Sequence, residues 1–158
     1  MYKVSLSRTK IEAKLAILRE SVSELEKIGR EFTEERFVSD KDKFAVAEHY
    51  LRRGLEATFD IGGHIVSRFA YSPSSRPKTI KEIAVELGRK GIVDQKFAED
   101  NLVKMAGYRN RLAHFYEEIT PQELFRIITQ NLGDLETFAQ SAVELISNPE
   151  KLNLSIED

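Results

Sequence analysis

The sequence predicts an all-α chain: an up-and-down bundle of four main helices with one additional short helix. Three observations carry this. Apolar residues recur at threes and fours over long stretches, the period of an amphipathic helix. No sustained alternation of apolar and polar residues marks a strand. The links between periodic stretches are short and carry capping residues, glycines or prolines, as antiparallel helices of a bundle require. A chain of 158 residues is the size of one domain, so residues 1–158 read as a single helical domain with a loose tail from about 150 to 158. No internal repeat or low-complexity tract interrupts it.

The first helix is expected to start after Ser7 and run to about Arg30, with Ile11, Leu15, Leu18, Val22, Leu25 and Ile28 as its apolar stripe. Glu31 to Ser39 reads as a polar connector or frayed extension. Asp40 is a good N-cap for the second helix, which runs through Phe44, Val46, Ala47, Tyr50, Leu51, Leu55, Phe59 and Ile61 to about Phe69. Its glycines at 54, 62 and 63 fit close approach of another helix. Asp60 and His64 stand four residues apart on it, a spacing that permits a side-chain pair. Tyr71 to Lys78, YSPSSRPK, is the clearest loop. Thr79-Ile80-Lys81-Glu82 is a capping box for the short helix, which Gly88 and Gly91 close. Asp94 caps a long helix expected to continue as far as Ile119. Thr120-Pro121-Gln122-Glu123 is a second capping box, with proline at the first helical position. It opens a last helix whose stripe runs from Leu124 to Ile146 and which Asn148-Pro149 ends.

Composition narrows the function classes. Twenty-four Lys and Arg against 26 Asp and Glu give a net charge of −2, so a general nucleic-acid coat protein, which needs a strong basic excess, is excluded. A local basic patch is not. No apolar run approaches the roughly 18 residues of a membrane span, and the charged, amphipathic start does not read as a signal peptide. There is no cysteine, which removes disulfides and thiolate metal sites and fits a reducing cytoplasm. With three scattered histidines, no transition-metal site is expected. P-loop, G-x-G-x-x-G, H-E-x-x-H and nucleophile-elbow patterns are all missing.

One stretch stands out: Tyr108-Arg109-Asn110-Arg111-Leu112-Ala113-His114-Phe115-Tyr116. It is the chain's densest gathering of groups that handle phosphate. At about 100° per residue, Phe97, Met105, Leu112, Phe115 and Ile119 fall on one apolar stripe. Arg109, Asn110, His114 and Tyr116 then share a half-face away from it, with Asn110 and His114 four apart. A histidine in a helix is most often structural, but this one is expected to point away from its own core. Arginine offers a planar fork that matches phosphate oxygens, and imidazole exchanges protons near neutral pH. Together they suit cleavage of a phosphodiester beside a ribose 2′-OH, with His114 moving a proton and Arg109 stabilising the developing charge.

The pattern R-x-x-x-x-H-x-Y formed by Arg109, His114 and Tyr116, with Asn110 after the arginine, resembles the HepT-like toxins of the HEPN ribonuclease superfamily. The likeness covers roughly Arg8 to Ile146 as helices in the family's order. It implies a HEPN-like bundle, a homodimer with the motif at its cleft, and RNA cleavage without metal or cofactor. Arg109 and His114 would be catalytic, and Asn110 would orient the phosphate or the imidazole. Arg111 falls in the variable part of the motif, so the resemblance implies for it only attraction of an RNA backbone. The implied partner is a minimal nucleotidyltransferase antitoxin that adds AMP to Tyr116 and so blocks the site. Two other readings use the same residues: a non-catalytic module binding a nucleotide or nucleotidyltransferase, and a helical dimer whose motif is only a polar seam.

Overall fold

A computed structural model of the chain describes residues 4–114 and 118–158. The expected helical architecture is present. The first helix, α1 (Arg8–Glu31), begins where Ser7 accepts the Lys10 N–H on its hydroxyl, and buries the stripe Ile11, Leu15, Leu18, Val22, Leu25 and Ile28. Its principal partner is α3 (Lys41–Val66), capped by Asp40, whose carboxylate accepts the Lys43 N–H at 2.9 Å. The two helices approach closely because Gly54 lacks a side chain. A Cβ there would stand 3.2 Å from Ser21 Cβ, tighter than most packed contacts. The buried hydroxyls of Ser21 and Thr58 return to carbonyls four residues back, Ile17 and Gly54, so neither is left unsatisfied in this seam.

The stretch expected as a polar connector holds a helical turn instead, α2 (Glu34–Val38). Thr33 caps it by accepting the Arg36 N–H. Its single apolar anchor, Phe37, is fully buried, with ring centroids 5.3 Å from Phe125 and 6.4 Å from Phe44. Charge on four of the neighbouring residues hides that anchor from any periodicity argument.

Beyond the 67–79 link, α4 (Ile80–Arg89) opens with the expected capping box, both Thr79–Glu82 bonds being formed. The expected long helix from Asp94 is assembled from three pieces: α5 (Gln95–Phe97), a π-helical segment (Ala98–Leu102) and α6 (Val103–Ala113). Close contact with α4 accompanies the π segment. A Cβ on Gly88 would fall 2.6 Å from Ala98 Cβ, a distance no real pair tolerates. Asn101, within the π segment, donates to Asp134 Oδ1 at 3.0 Å and ties it to the C-terminal part of the bundle. The expected single last helix is two, α7 (Pro121–Gln130) and α8 (Leu132–Ser147), separated by Asn131, a residue that favours caps over helix interiors.

The tail expected to be loose is docked. After a 3-10 turn (Pro149–Leu152), Leu154 is buried and β2 (Ser155–Glu157) pairs in parallel with β1 (Ser5–Ser7), in the register Ser5↔Ser155. Arg68 Nε donates to Ser5 O at 2.8 Å and the hydroxyls of Ser5 and Ser155 lie 2.9 Å apart. Three-residue strands leave no legible alternation, which is why the sequence pattern does not announce them.

His64 sits beneath this clasp. Its Nε2 accepts the Ser7 N–H at 3.0 Å, so the ring is neutral there. Burial, then the charges of Arg68 and Lys10, push its pKa down to about 4. The Asp60–His64 pair does not form, since Asp60 faces Lys14 Nζ at 3.0 Å. With the folded pKa below the unfolded value of about 6.5, the unfolded state takes up the proton first as pH falls. Stability carried by neutral His64 is therefore complete above about pH 6.5 and declines as the pH drops towards 4. Urea unfolding at pH 7 and pH 4.5 should show a smaller acid loss for His64→Gln than for the parent; equal losses would assign the acid sensitivity to other groups.

Candidate active site

The final turns of α6 carry the motif. Met105 and Ala106 are buried and seat the helix, which leaves Arg109 and Asn110 half-buried on its flank. Arg109 meets Glu56 of α3: Nε lies 3.1 Å from Oε1, and Nη2 lies 3.5 Å from Oε2. The Nε contact is an ion pair rather than a hydrogen bond, because the buried Nε has no acceptor in hydrogen-bonding geometry. Nη1 reaches Asn110 Oδ1 at 3.4 Å. The guanidinium is thus oriented from two sides by weak contacts that a phosphate can outcompete, since charge-assisted forks to an anion are shorter and stronger. Glu56 has no local signal in sequence. It is 53 positions from Arg109 and looks like one more charge on the exposed side of α3.

Arg111 is tied to the start of α7. Its fork closes on both carboxylate oxygens of Glu123, Nη2 at 2.8 Å from Oε2, and Nη2 also donates to Glu118 O at 3.2 Å. This contact fastens the end of α6 to the start of α7. The hydrogen bond from Arg111, more than its charge alone, holds the Glu123 carboxyl below the usual range. Thr120 still caps α7 through the Glu123 N–H at 3.1 Å, while the glutamate carboxylate expected to complete that box faces Arg111. Tyr108, also half-buried, has its phenol pushed up first by burial and then by the charge of Glu123.

His114 departs from expectation in an instructive way. The helix ends at Ala113, and His114 is its exposed C-cap with extended backbone, φ −114° and ψ 118°. Its N–H points back to Arg111 O at 3.3 Å. Asn110 and His114 are therefore not a helical i,i+4 pair. Ile119 is buried, as a core residue should be, but it is reached from the link into α7 rather than from a helical stripe. The reason is tertiary: extended Thr120 and Pro121 fix the start of α7, and the Arg111–Glu123 fork holds that start against α6. Phe115 and Tyr116 lie outside the described residues, so the expected modification residue has no described position.

Arg109, Asn110 and His114 are thus delivered to one end of α6, the first two from helix and the third from the chain leaving it. Cavities of about 550, 500 and 490 Å³ are lined by other parts of the chain: the 74–89 region, the 32–42 region, and the C-terminal half of α8 with the segments beside it. Among the described residues no group of three or more His, Asp or Glu side chains could hold a metal ion, and no helix is long and apolar enough to cross a membrane. Arg109, held loosely by Glu56, can bind and release an anion, and the exposed His114 that follows the helix can transfer protons.

Comparison with known proteins bears on the fold and the family. The tRNA nuclease HepT of Aphanizomenon flos-aquae is 28% identical over 119 residues, which cover 75% of this chain and 78% of that one. The mRNA nuclease HepT of Shewanella oneidensis is 30% identical over 88 residues, covering 56% and 63%. Among solved structures, the tri-AMPylated HEPN toxin of Shewanella oneidensis in complex with its MNT antitoxin superimposes with a TM-score of 0.72 over 85% of this chain and 97% of that one, at 23% identity. The pattern of the ribonuclease HepT-like family matches residues 18–142, from within α1 through the motif and into α8, and the chain belongs to that family.

Proposed function

We propose that the chain is a metal-independent endoribonuclease, the toxin of a toxin–antitoxin pair, with Arg109 and His114 as its catalytic residues. The observation that supports it most is that a pre-oriented guanidinium and an exposed histidine are carried at the same end of α6. In the reaction, a ribose 2′-oxygen bonds to the adjacent phosphorus and the 5′-oxygen of the next nucleotide leaves. An imidazole accepts the 2′-hydroxyl proton, and another proton is delivered to the departing oxygen. Arg109 exchanges its loose contact with Glu56 for the phosphate oxygens, where charge builds in the transition state. Asn110 holds the guanidinium edge and can donate its amide to the same phosphate. A two-fold homodimer with the motif at its cleft brings a second His114 to the site, so one ring acts as base and the other as acid.

The partner in this reading is a minimal nucleotidyltransferase antitoxin, as in the complex of the structurally similar Shewanella toxin. Tyr116, two residues after His114, is the acceptor: its phenol oxygen bonds to the α-phosphorus of ATP as pyrophosphate leaves. The added phosphate then competes for the guanidinium that the substrate needs. The site of action is the cytoplasm.

The test is RNA cleavage in the presence of EDTA by protein whose intact mass matches the bare chain. Cleavage that persists with chelator is the expected result. Activity that requires an added divalent ion rejects the metal-independent mechanism. Tight binding of a nucleotide or nucleotidyltransferase by a bare chain that cuts no RNA would establish the non-catalytic binding module instead.

A further inference from the structure

Glu56 also borders a cavity of about 260 Å³ between α1 and α3, lined in part by Lys14, His49, Arg52, Arg53 and Asp60. Its cations are not equivalent. Lys14 is paired with Asp60 at 3.0 Å and Arg52 with Glu48 at 3.3 Å. Arg53 is exposed and makes no hydrogen bond or ion pair among the described residues. His49, one turn earlier, is also exposed and meets the half-buried Tyr50 ring edge-on at 5.2 Å. His49, Arg53 and Glu56 are spaced by four and three residues, so they form one stripe on α3. Glu56 closes that stripe at one end and holds Arg109 at 3.1 Å. The cavity and the catalytic arginine therefore border the same carboxylate.

We propose that this groove is a subsite for the RNA strand beside the scissile phosphate, in which Arg53 takes a backbone phosphate and the His49 ring carries a base. The inference rests on Arg109 and His114 being the cleavage site. A single strand needs cations that follow its backbone and rings that accept its bases. This stripe supplies one of each about a turn of helix apart, and it ends at Glu56, the carboxylate that Arg109 meets. Of the groove's carboxylates, Asp60 is paired with Lys14, and Glu56 is paired with Arg109 until a phosphate takes the guanidinium. The chain as a whole is acidic, at −2, so an uncommitted guanidinium placed here is a local attraction rather than part of a general basic excess.

The proposal is tested by binding of a labelled single-stranded RNA oligonucleotide of mixed sequence to full-length His114→Ala protein across a salt series. Adding Arg53→Ala should weaken binding three- to tenfold, and should lower the slope of log affinity against log salt by about 0.7, the value of one phosphate contact on a single strand. Arg53→Lys should keep the slope. His49→Ala should weaken binding about fivefold or more, the loss of one stacked base. In protein with His114 intact, both alanine variants should raise KM and leave kcat within twofold. Affinity and slope unchanged in both variants would overturn the subsite. So would a change in sedimenting mass, which would make this face a contact between copies of the chain. A parent protein that cuts no RNA would instead overturn the proposed activity, while the binding series would still decide whether the groove holds RNA.

Discussion

Replacement of His114 by alanine is expected to lower RNA cleavage by about 10²- to 10⁴-fold, the usual contribution of a positioned proton-transfer group, with the fold intact. The argument is geometric. His114 is an exposed C-cap in extended conformation, so truncation opens no cavity in the core. Arg109→Lys is the informative companion. It keeps one positive charge but loses the fork that meets Glu56 on one side and Asn110 on the other, and a point charge cannot engage two phosphate oxygens in the same way. Because the Arg109–Glu56 pair is partly exposed, losing its geometry should change stability by no more than about 1 kcal/mol. A large drop in initial rate at saturating RNA, with a melting temperature close to the parent's, is the expected pair of readings. Cleavage within threefold of the parent in His114→Ala would remove the histidine from the mechanism.

Phe37→Ala should be the most damaging single truncation outside the long helices, at about 3–5 kcal/mol. The ring is fully buried between Phe44 and Phe125, and a five-residue helix has nothing else with which to hold its place. For a domain of this size that corresponds to a fall in melting temperature of roughly 6–20 °C. Val46→Ala, on an exposed site of the neighbouring helix, is the control and should cost about 0.5 kcal/mol or less. Calorimetry distinguishes the two directly. A Phe37→Ala shift as small as the control's would mean that the α2 turn contributes no packing.

The contrast between these sites shows what the sequence discloses. Ser7, Asp40, Thr79 and Thr120 are legible as helix starts because capping is a local bond between a side chain and a backbone N–H three residues on. The stripes of α1 and α3 are legible because one buried face repeats at a fixed period. Phe37 is not, since one apolar residue among charges has no period. The course of the motif past Ala113 is not legible either, for two reasons. A constant 100° step from Phe97 crosses the π segment at Ala98–Leu102, whose wider turns change the angular phase of everything downstream. The stop at His114 is imposed from α7 by a contact twelve positions away, Arg111 with Glu123. Glu56 belongs to the same class: its partner is chosen by the approach of α3 and α6, and no spacing rule announces it.

The short β1–β2 pair has a mechanical meaning. The strands are parallel, and β1 begins one residue after Val4, while β2 ends one residue before Asp158. Tension applied between Val4 and Asp158 drags the two strands past each other lengthwise, so their hydrogen bonds bear load together and do not open one after another. Leu6, fully buried beside them, must slide out of its socket in the same event. Pulled at its ends, the molecule should therefore resist first at this seam, before force reaches α1, and yield abruptly instead of peeling helix by helix.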